Sequence, residues 1–433
     1  MRALILGAMI HGPSRRGRIL GAVGIPLLYA AGAVLLGVVM PRLEAHFLPG
    51  LDAHVSVGAA MSLLSAIASG MLPLTGLVFS LAFVMVQFSA TAYTPRLVSW
   101  LAGSAMMTHS LGIFTAAFLY ALAALAWIDR GGSGKVPLIT VWTAIVLLLV
   151  SVVFFMLLVE RLTSLQISRV LEYAGDHGRA VITRDYRPLG GPDHGPAPPK
   201  LPPASQVLVY RGGPAVIQAL DVRGLVALAS PAQRVIALAW AVGDTVVDGM
   251  PLARVHGEGA PLPERKLYTF IRLGTDRTFE QDPKYALRIL VDIAIRALSP
   301  AINDPTTAVQ ALDQVEDLLL RLGRCDLDTG RARDGAGAVR LVFPVPSWED
   351  FLVLALDEIR FYGASSIQVM RRMRALLLDL HGQVQPERRG ALERYLERVD
   401  KGIARAFDDG EDRKDALVQD RQGLGLSSEQ RQA

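Results

Sequence analysis

The chain has 433 residues, of which 51% are hydrophobic, 19% charged and 7% aromatic, with a formal charge of +4; its mean hydropathy is +0.35. A soluble domain carries about 25% charged residues, so a deficit of this kind excludes a disordered chain, a collagen-like repeat and a disulfide-stapled secreted module. No dense basic run interleaved with aromatics occurs, which argues against a nucleic-acid partner.

Four apolar runs open the chain, at about residues 19–40, 59–86, 106–128 and 136–159, and none contains Asp, Glu, Lys or Arg. Each reaches the roughly 20 residues that a helix needs to cross a bilayer. Residues 1–160 are therefore expected to form an α-helical membrane domain of four transmembrane helices in contact with the lipid bilayer. Basic residues in short flanks set the orientation. Arg2, Arg15, Arg16 and Arg18 precede the first helix, and Arg161 and Arg169 follow the fourth. The first loop holds Arg42 beside Glu44 and Asp52, and the second holds Arg96, whereas Arg130 and Lys135 in the third point the other way. The balance places both termini in the cytoplasm, with the first helix kept as an anchor and not cleaved as a signal peptide.

The second helix carries small residues at spacings of three and four: Ser62, Ala66, Ser69, Pro73, Gly76 and Ser80, with Gly70, Thr75 and Gln87 adding polarity or bending. Such a stripe suits close helix–helix contact in lipid. It equally suits a pore-lining or hinge helix, because Pro73 loosens the backbone hydrogen bonds. Both readings hold in a homo-oligomer. The four runs place no ionisable group at the bilayer midplane, where coupled carriers and pumps need one; His109 alone comes near, close to a helix end. Four helices without a polar seam do not enclose a wet path, so a conducting form needs several subunits.

Beyond Val159 the pattern turns mixed, and residues 161–184 are expected to continue the fourth helix as an amphipathic arm. Residues 185–205 hold seven Pro and three Gly, which predicts an extended linker closing the 161–205 segment. Residues 206–275 carry short strand signals and predict a small β-barrel or sandwich, with a short helix at 222–230 and a further strand at 267–273. Within it, Gly243-Asp244-Thr245-Val246 with Gly249 and Leu252 resembles the turn-and-strand unit of lipoyl- and biotinyl-type half-barrels. Those carriers present a modified Lys, and no Lys lies between Val207 and Val255, so the glycines read as turn formers.

Residues 276–407 read as a helical domain. Asp282-Pro283 opens a helix that Ser299-Pro300 ends, with Lys284, Arg288, Asp292 and Arg296 four apart in one charged, solvated stripe opposite Leu287, Leu290, Ile293, Ala294 and Ala297. Next, Asp304 is suited to cap a new helix with Pro305 at its first position. The start of that helix, with Arg296, Asn303, Asp304, Thr306 and Thr307 close by, is a candidate site for an anionic ligand. Asp304 would already occupy it, so capping and binding stand as two readings. Ser347 to Asp350 form a capping-box variant opening a helix through Tyr362. Two more helices follow at 365–380 and 386–407, and residues 408–433 read as a polar, disordered tail.

Catalytic constellations are not evident. The eight histidines are scattered without metal-ligand spacing, although His46 and His54 share a loop with Glu44 and Asp52, and the single Cys325 reads as a structural thiol. There is no Walker loop, nucleophile elbow, zincin helix or dinucleotide fingerprint. The chain is expected to use no metal or cofactor and not to be an enzyme.

Several stretches are more distinctive. They are Leu63 through Met71 with Val78-Phe79-Ser80, Leu111 through Phe114 with Phe118-Leu119-Tyr120, Arg277-Thr278 with Gln281-Asp282, Val291 through Ala294, Arg296 through Ala308, and Ile359-Arg360 with Tyr362-Gly363-Ala364. On these the chain resembles domain-of-unknown-function family 2254, a group of predicted bacterial integral membrane proteins, over about residues 20–405. Two departures stand out: Ala90–Thr94 (residues 90–94) separate Gln87-Phe88-Ser89 from Pro95-Arg96, and Ala301 stands where the family pattern has glycine. The resemblance implies a multi-pass protein of the bacterial inner membrane and assigns no activity. Together these readings favour a homo-oligomeric channel or permeation protein whose second helix lines or gates the path, with a cytoplasmic vestibule or sensor. The alternative is a membrane-anchored regulatory or scaffold protein that binds a ligand or partner through its cytoplasmic part.

Overall fold

Each apolar run becomes one helix in the computed structural model: α1 (Arg15–Phe47), α2 (Val57–Ala92), α3 (Ala105–Leu125) and α4 (Leu138–Thr163). All four are long and apolar enough to cross a membrane. The structure describes residues 15–47, 56–92, 105–128, 136–163, 167–189 and 201–425, and the chain divides into two units, 1–166 and 167–433.

In the first unit α3 packs against α1, α2 and α4. Its Phe114, Ala117, Tyr120, Ala121 and Ala124 are buried with Leu64 and Met71 of α2. Small side chains set the spacing: a Cβ on Gly37 of α1 would lie 2.7 Å from the Ala123 methyl and 3.1 Å from the Tyr120 carbonyl oxygen. Leu28, Leu35, Leu72, Phe79, Trp142, Leu149 and Met156 point outward and exposed, a surface that lipid accommodates and water does not. Four hydroxyls within the helices are satisfied locally, those of Thr75, Thr115, Thr143 and Ser151 each donating to the carbonyl four residues back. The His109 ring meets Tyr29, its Nδ1 3.2 Å from the Tyr29 hydroxyl.

α1 runs through Pro41 to Phe47, further than its apolar run. Two contacts hold the added turn. Arg42 stacks on the Trp127 ring at 4.1 Å, and the buried Glu44 carboxylate accepts from the Ile139 and Thr140 amides at 2.8 and 3.1 Å and from the Thr140 hydroxyl at 3.1 Å. Glu44 thus caps the N-terminus of α4, whose first N–H groups lack partners within the helix.

The second unit begins with α5 (Ile167–Asp185) and β1 (Arg187–Pro188). β2 (Ala204–Val209), β3 (Ala215–Leu220), α6 (Val222–Ala229), β4 (Val235–Leu238), β5 (Thr245–Val246), β6 (Pro251–His256), α7 (Glu264–Phe270) and β7 (Ile271–Gly274) follow. Then come α8 (Pro283–Ala297), α9 (Pro305–Gly323), β8 (Cys325–Asp326), β9 (Arg331–Arg333), β10 (Val339–Val342), α10 (Trp348–Tyr362), α11 (Ile367–Gln383), α12 (Pro386–Ala406) and α13 (Gly410–Leu417). The sheets run β2-β6-β4-β10-β9, β5-β3-β7 and β1-β8, and β10 lies parallel to β4 with Leu341 opposite Ile236. α8 is buried on nearly all sides, by α5, α9 and α10, which is why apolar residues fill most of its circumference.

Several expectations need correction. The β region is not a closed barrel: its five- and three-stranded sheets are open, and two strands of the larger one come from within 276–407. Residues 267–273 are not one strand; the helix α7 ends at Phe270 and β7 begins at Ile271. Residues 167–185 form a helix that buries Val170, Leu171, Ala174, Val181 and Ile182 against α8 and α9, and residues 164–166, where it would join α4, lie outside the described residues. Residues 408–425 are not a disordered tail: Asp409 caps α13, which packs on α11 and α12, and the Asp420 carboxylate accepts from the Gln422 and Gly425 amides. Of the linker, residues 190–200 lie outside the described residues.

Candidate ligand-binding cleft

The start of α8 departs from an ordinary helix opening. Asp282 holds the N-cap position with Pro283 behind it, yet its side chain makes no capping hydrogen bond. The carboxylate turns instead to Arg277, whose Nε and Nη2 donate to Oδ2 at 3.0 and 2.6 Å. The other oxygen, Oδ1, is buried with no hydrogen-bond partner, in a residue only 2% exposed. Gly243 makes this placement possible: its φ is +91°, and a Cβ there would lie 2.3 Å from Asp282 Oδ2. The Gly243 turn is itself fixed to β3, the Gly243 amide donating to the Ile217 carbonyl at 2.8 Å and the Ile217 amide to the Asp244 carbonyl at 3.0 Å.

The approach to α8 is held on both sides. Gln281 grips the end of β3, accepting from the Leu220 amide at 2.9 Å and donating to its carbonyl at 3.1 Å. Phe279 sits between His177 of α5 and Tyr285 of α8, at 4.9 and 4.8 Å between ring centroids.

Asp282, Pro283 and Lys284 open onto a cleft of about 660 Å³ lined also by the end of α5 and β1, by Leu220, Val222, Ala241 and Val242, and by residues from Thr329 to Pro346. This size falls within the roughly 300–1,000 Å³ of small-molecule sites. Five cations, Arg184, Arg187, Lys284, Arg331 and Arg333, line it against two carboxylates, Asp185 and Asp282. Some of them have partners: Arg184 pairs with Asp185, Lys284 lies 3.8 Å from Asp244, and Arg331 pairs with Asp328. Arg184 is the exposed one of these, and a pair at an open surface contributes about 0–1 kcal/mol, so an anion can exchange for its Asp185. Burial pushes the Asp282 carboxyl above the usual range against the pull of Arg277 and Lys284. Burial also raises the Tyr186 phenol, with the Asp282 and Asp185 carboxylates adding to it. The floor of the cleft is a carboxylate paired with Arg277, and its rim is cationic.

The residues singled out in the sequence lie elsewhere or play local parts. Arg288 bonds Asp292 within α8 and Glu358 of α10, so the charged stripe ties two helices together where a solvated ladder was expected. Asp304 caps α9, accepting from the Thr307 amide at 3.1 Å and its hydroxyl at 2.6 Å. Asn303 holds φ at +50°, a conformation that Asn tolerates better than most side chains. Arg296 is partly buried and Thr306 exposed, and neither lines the cleft. On α2, Ser62, Ala66, Ser69, Pro73, Gly76 and Ser80 are all exposed, while Ala60, Leu64, Ile67, Ala68, Met71 and Val78 make the buried face. A Cβ added at Gly70 or Gly76 would meet nothing within 4 Å. The stripe therefore packs on no other helix among the described residues, and the Gln87 side chain lies outside them. No group of three metal-ligating side chains comes together among the described residues.

What the sequence reading missed is the use of Asp282, which it took as a helix opener. A signal was present: Arg277-Thr278 and Gln281-Asp282 are among the distinctive stretches, and an ordinary cap does not require an arginine five residues before it.

Similarity to known proteins runs through both halves of the chain. Rv1290c, an uncharacterized protein of Mycobacterium tuberculosis, and Mb1321c, an uncharacterized protein of Mycobacterium bovis, are each 28% identical to the chain over 406 residues, which span 91% of this chain and 77% of each relative. No solved structure matches it. The profile of a family described as "Predicted membrane protein (DUF2254)" matches residues 22–379, from α1 into α11, and the chain belongs to that family.

Proposed function

We propose that this protein is a membrane-anchored regulatory protein that binds a small anion in the cleft beside α8. The observation that carries this reading is the start of α8, where the N-cap side chain makes no capping hydrogen bond. Its N-cap carboxylate is drawn away to Arg277, and Lys284 and the cleft arginines surround the opening. The positive end of a helix dipole beside a cationic rim favours an anion. The proposed role is binding, with the binding unit on the cytoplasmic side of the plasma membrane, a reading that the basic residues flanking the first and fourth membrane helices support.

The test uses the full chain in detergent, with inorganic phosphate and pyrophosphate as probes of thermal unfolding. A ligand at 100 times its Kd stabilises by about 2.7 kcal/mol. Stabilisation that Lys284→Met and Arg187→Ala each weaken supports the reading. No shift with either anion up to tens of millimolar removes it.

A second reading concerns the membrane part. The outward small-residue stripe of α2 suits contact with a second copy of the chain, and a homo-oligomer built on it would supply the walls that a channel needs. In a Cys325→Ser background, Ser69→Cys should cross-link in membranes, whereas Trp142→Cys on α4 should not. Equal cross-linking at both positions counts against a contact through α2, and liposomes that pass no ions count against a channel.

A further inference from the structure

The unpartnered oxygen of Asp282 says more about the ligand than its charge. A carboxylate oxygen sealed from solvent and left without a donor costs free energy, because nothing replaces the water it lost. Asp282 Oδ1 is such an atom, and Asp282 is at the same time part of the cleft wall. Its partner oxygen is already taken by Arg277 on the side that Gly243 closes, and Asp282 also lines the cleft. The next residues along the chain, Pro283 and Lys284, begin the helix whose N-terminus attracts an anion. An anionic group and a hydrogen-bond donor are therefore called for within a few ångströms of one another.

We infer that the ligand is a phosphate ester carrying a free hydroxyl, with its phosphate at the N-terminus of α8 and Lys284 and its hydroxyl donating to Asp282 Oδ1. This rests on the anion-binding reading above and narrows it. A bare sulfate lacks a donor, the P–OH of a bare phosphate belongs to the anionic group itself, and a polyol without phosphate leaves the cationic rim unused. The apolar side chains of Val222, Val242 and Phe343 in the same cleft leave room for a larger organic part. Two sources share this chemistry: soluble nucleotides and sugar phosphates, and the headgroups of phospholipids such as phosphatidylglycerol.

The experiment measures binding to the full chain in detergent or nanodiscs. The soluble arm compares adenosine 5′-monophosphate with its 2′,3′-dideoxy analogue and with inorganic phosphate. The lipid arm compares nanodiscs containing phosphatidylglycerol with nanodiscs containing phosphatidic acid, which has the phosphate without the hydroxyl. A hydrogen bond to a charged acceptor predicts at least about a tenfold preference for the hydroxyl-bearing member of a pair. That preference in the soluble arm identifies a free ester, and in the lipid arm alone a headgroup. Asp282→Asn should reduce the preference below about threefold, whereas Lys284→Met should weaken both members of a pair and keep their ratio. If the paired ligands bind equally well in both arms, the hydroxyl assignment is wrong while the anion site stands. If no phosphate binds in either arm, inorganic phosphate included, both are wrong. Because the ligand pairs are compared on the unaltered chain, the inference is tested even if Asp282→Asn fails to fold.

Discussion

Glu44 offers the sharpest test of the membrane unit. Its carboxylate is 6% exposed and lies against the first turn of α4, where it accepts two backbone N–H groups and one hydroxyl. Removing it strips those donors of their acceptor at a helix end already facing the positive end of its own dipole. Loss of an N-cap costs about 0.5–2 kcal/mol, and hydrogen bonds to a charged group contribute about 1.5–3 kcal/mol. We therefore expect Glu44→Ala to destabilise the first unit by about 3 kcal/mol, more than an exposed cap because no bulk water takes the place of the carboxylate. Glu44→Gln keeps one acceptor but aims its amide at the second N–H, and should lose about half as much. Thr140→Val removes only the hydroxyl and should cost about 1 kcal/mol. Since Glu44 and Thr140 touch, the double variant should be less damaged than the sum, by roughly 0.5 kcal/mol or more. Reversible unfolding of the full chain in mixed micelles, followed by the near-ultraviolet signal of Trp127 and Trp142, provides the measurement. Should Glu44→Ala unfold within about 0.5 kcal/mol of the parent, the capping of α4 by α1 would be refuted.

Three further perturbations separate structural roles. Gly37→Leu forces a side chain against the Ala123 methyl and the Tyr120 carbonyl, whereas Gly32 has nothing within 4 Å of the same position; overpacking predicts a loss of about 1–3 kcal/mol for the first. In the same micelle assay Gly32→Leu should be nearly silent, and equal effects would contradict the α1–α3 approach. Asp304→Ala takes the cap from α9 and should cost about 1 kcal/mol, read as a lowered unfolding midpoint, while leaving phosphate binding untouched because Asp304 is not in the cleft. Asp409 accepts the Glu411 and Asp412 amides at 2.8 and 3.1 Å, and these bonds hold its carboxyl below the usual range. A depressed acid stabilises above its unfolded value and loses that contribution as the pH falls through the folded one. Hydrogen-exchange protection of α13 should accordingly weaken in that acidic window first, and Asp409→Asn should flatten the dependence; protection that does not change with pH would speak against the cap.

The parts legible in the sequence are those governed by local rules. Uncharged runs of membrane-spanning length read directly as α1 to α4, and Ser347 with Asp350, or Asp304 with Pro305, announce helix starts that the structure keeps. What stayed hidden depends on partners far away in the chain. Glu44 looks like an ordinary loop residue until α4 is brought to it. β10 is four residues long, and nothing in Val339-Arg340-Leu341-Val342 names β4 as its parallel neighbour. The charged stripe on α8 has the spacing of a solvated ladder, but Glu358 of α10 covers Arg288. Asp282 has the sequence of a cap, and only the fold shows its carboxylate turned to Arg277.

The cleft draws its walls from four separate stretches, near residues 184–187, 220–242, 281–284 and 329–346, so it exists only when the helical layer and the sheet are both in place. Its least secure wall is β9, a three-residue strand at the edge of the five-stranded sheet, paired on one side by β10 with an irregular register. Arg331 and Arg333 on that strand face the cleft. A ligand that binds the folded cleft and not its opened form must stabilise the pairing of this edge, by the same linkage that raises global stability. Hydrogen exchange of the full chain with and without inorganic phosphate measures that directly. Amides of residues 331–343 should gain protection, and those of α12, which takes no part in the cleft, should not. Equal protection in both places would mean that the anion acts on the molecule as a whole, and that the wall of the cleft is not where it binds.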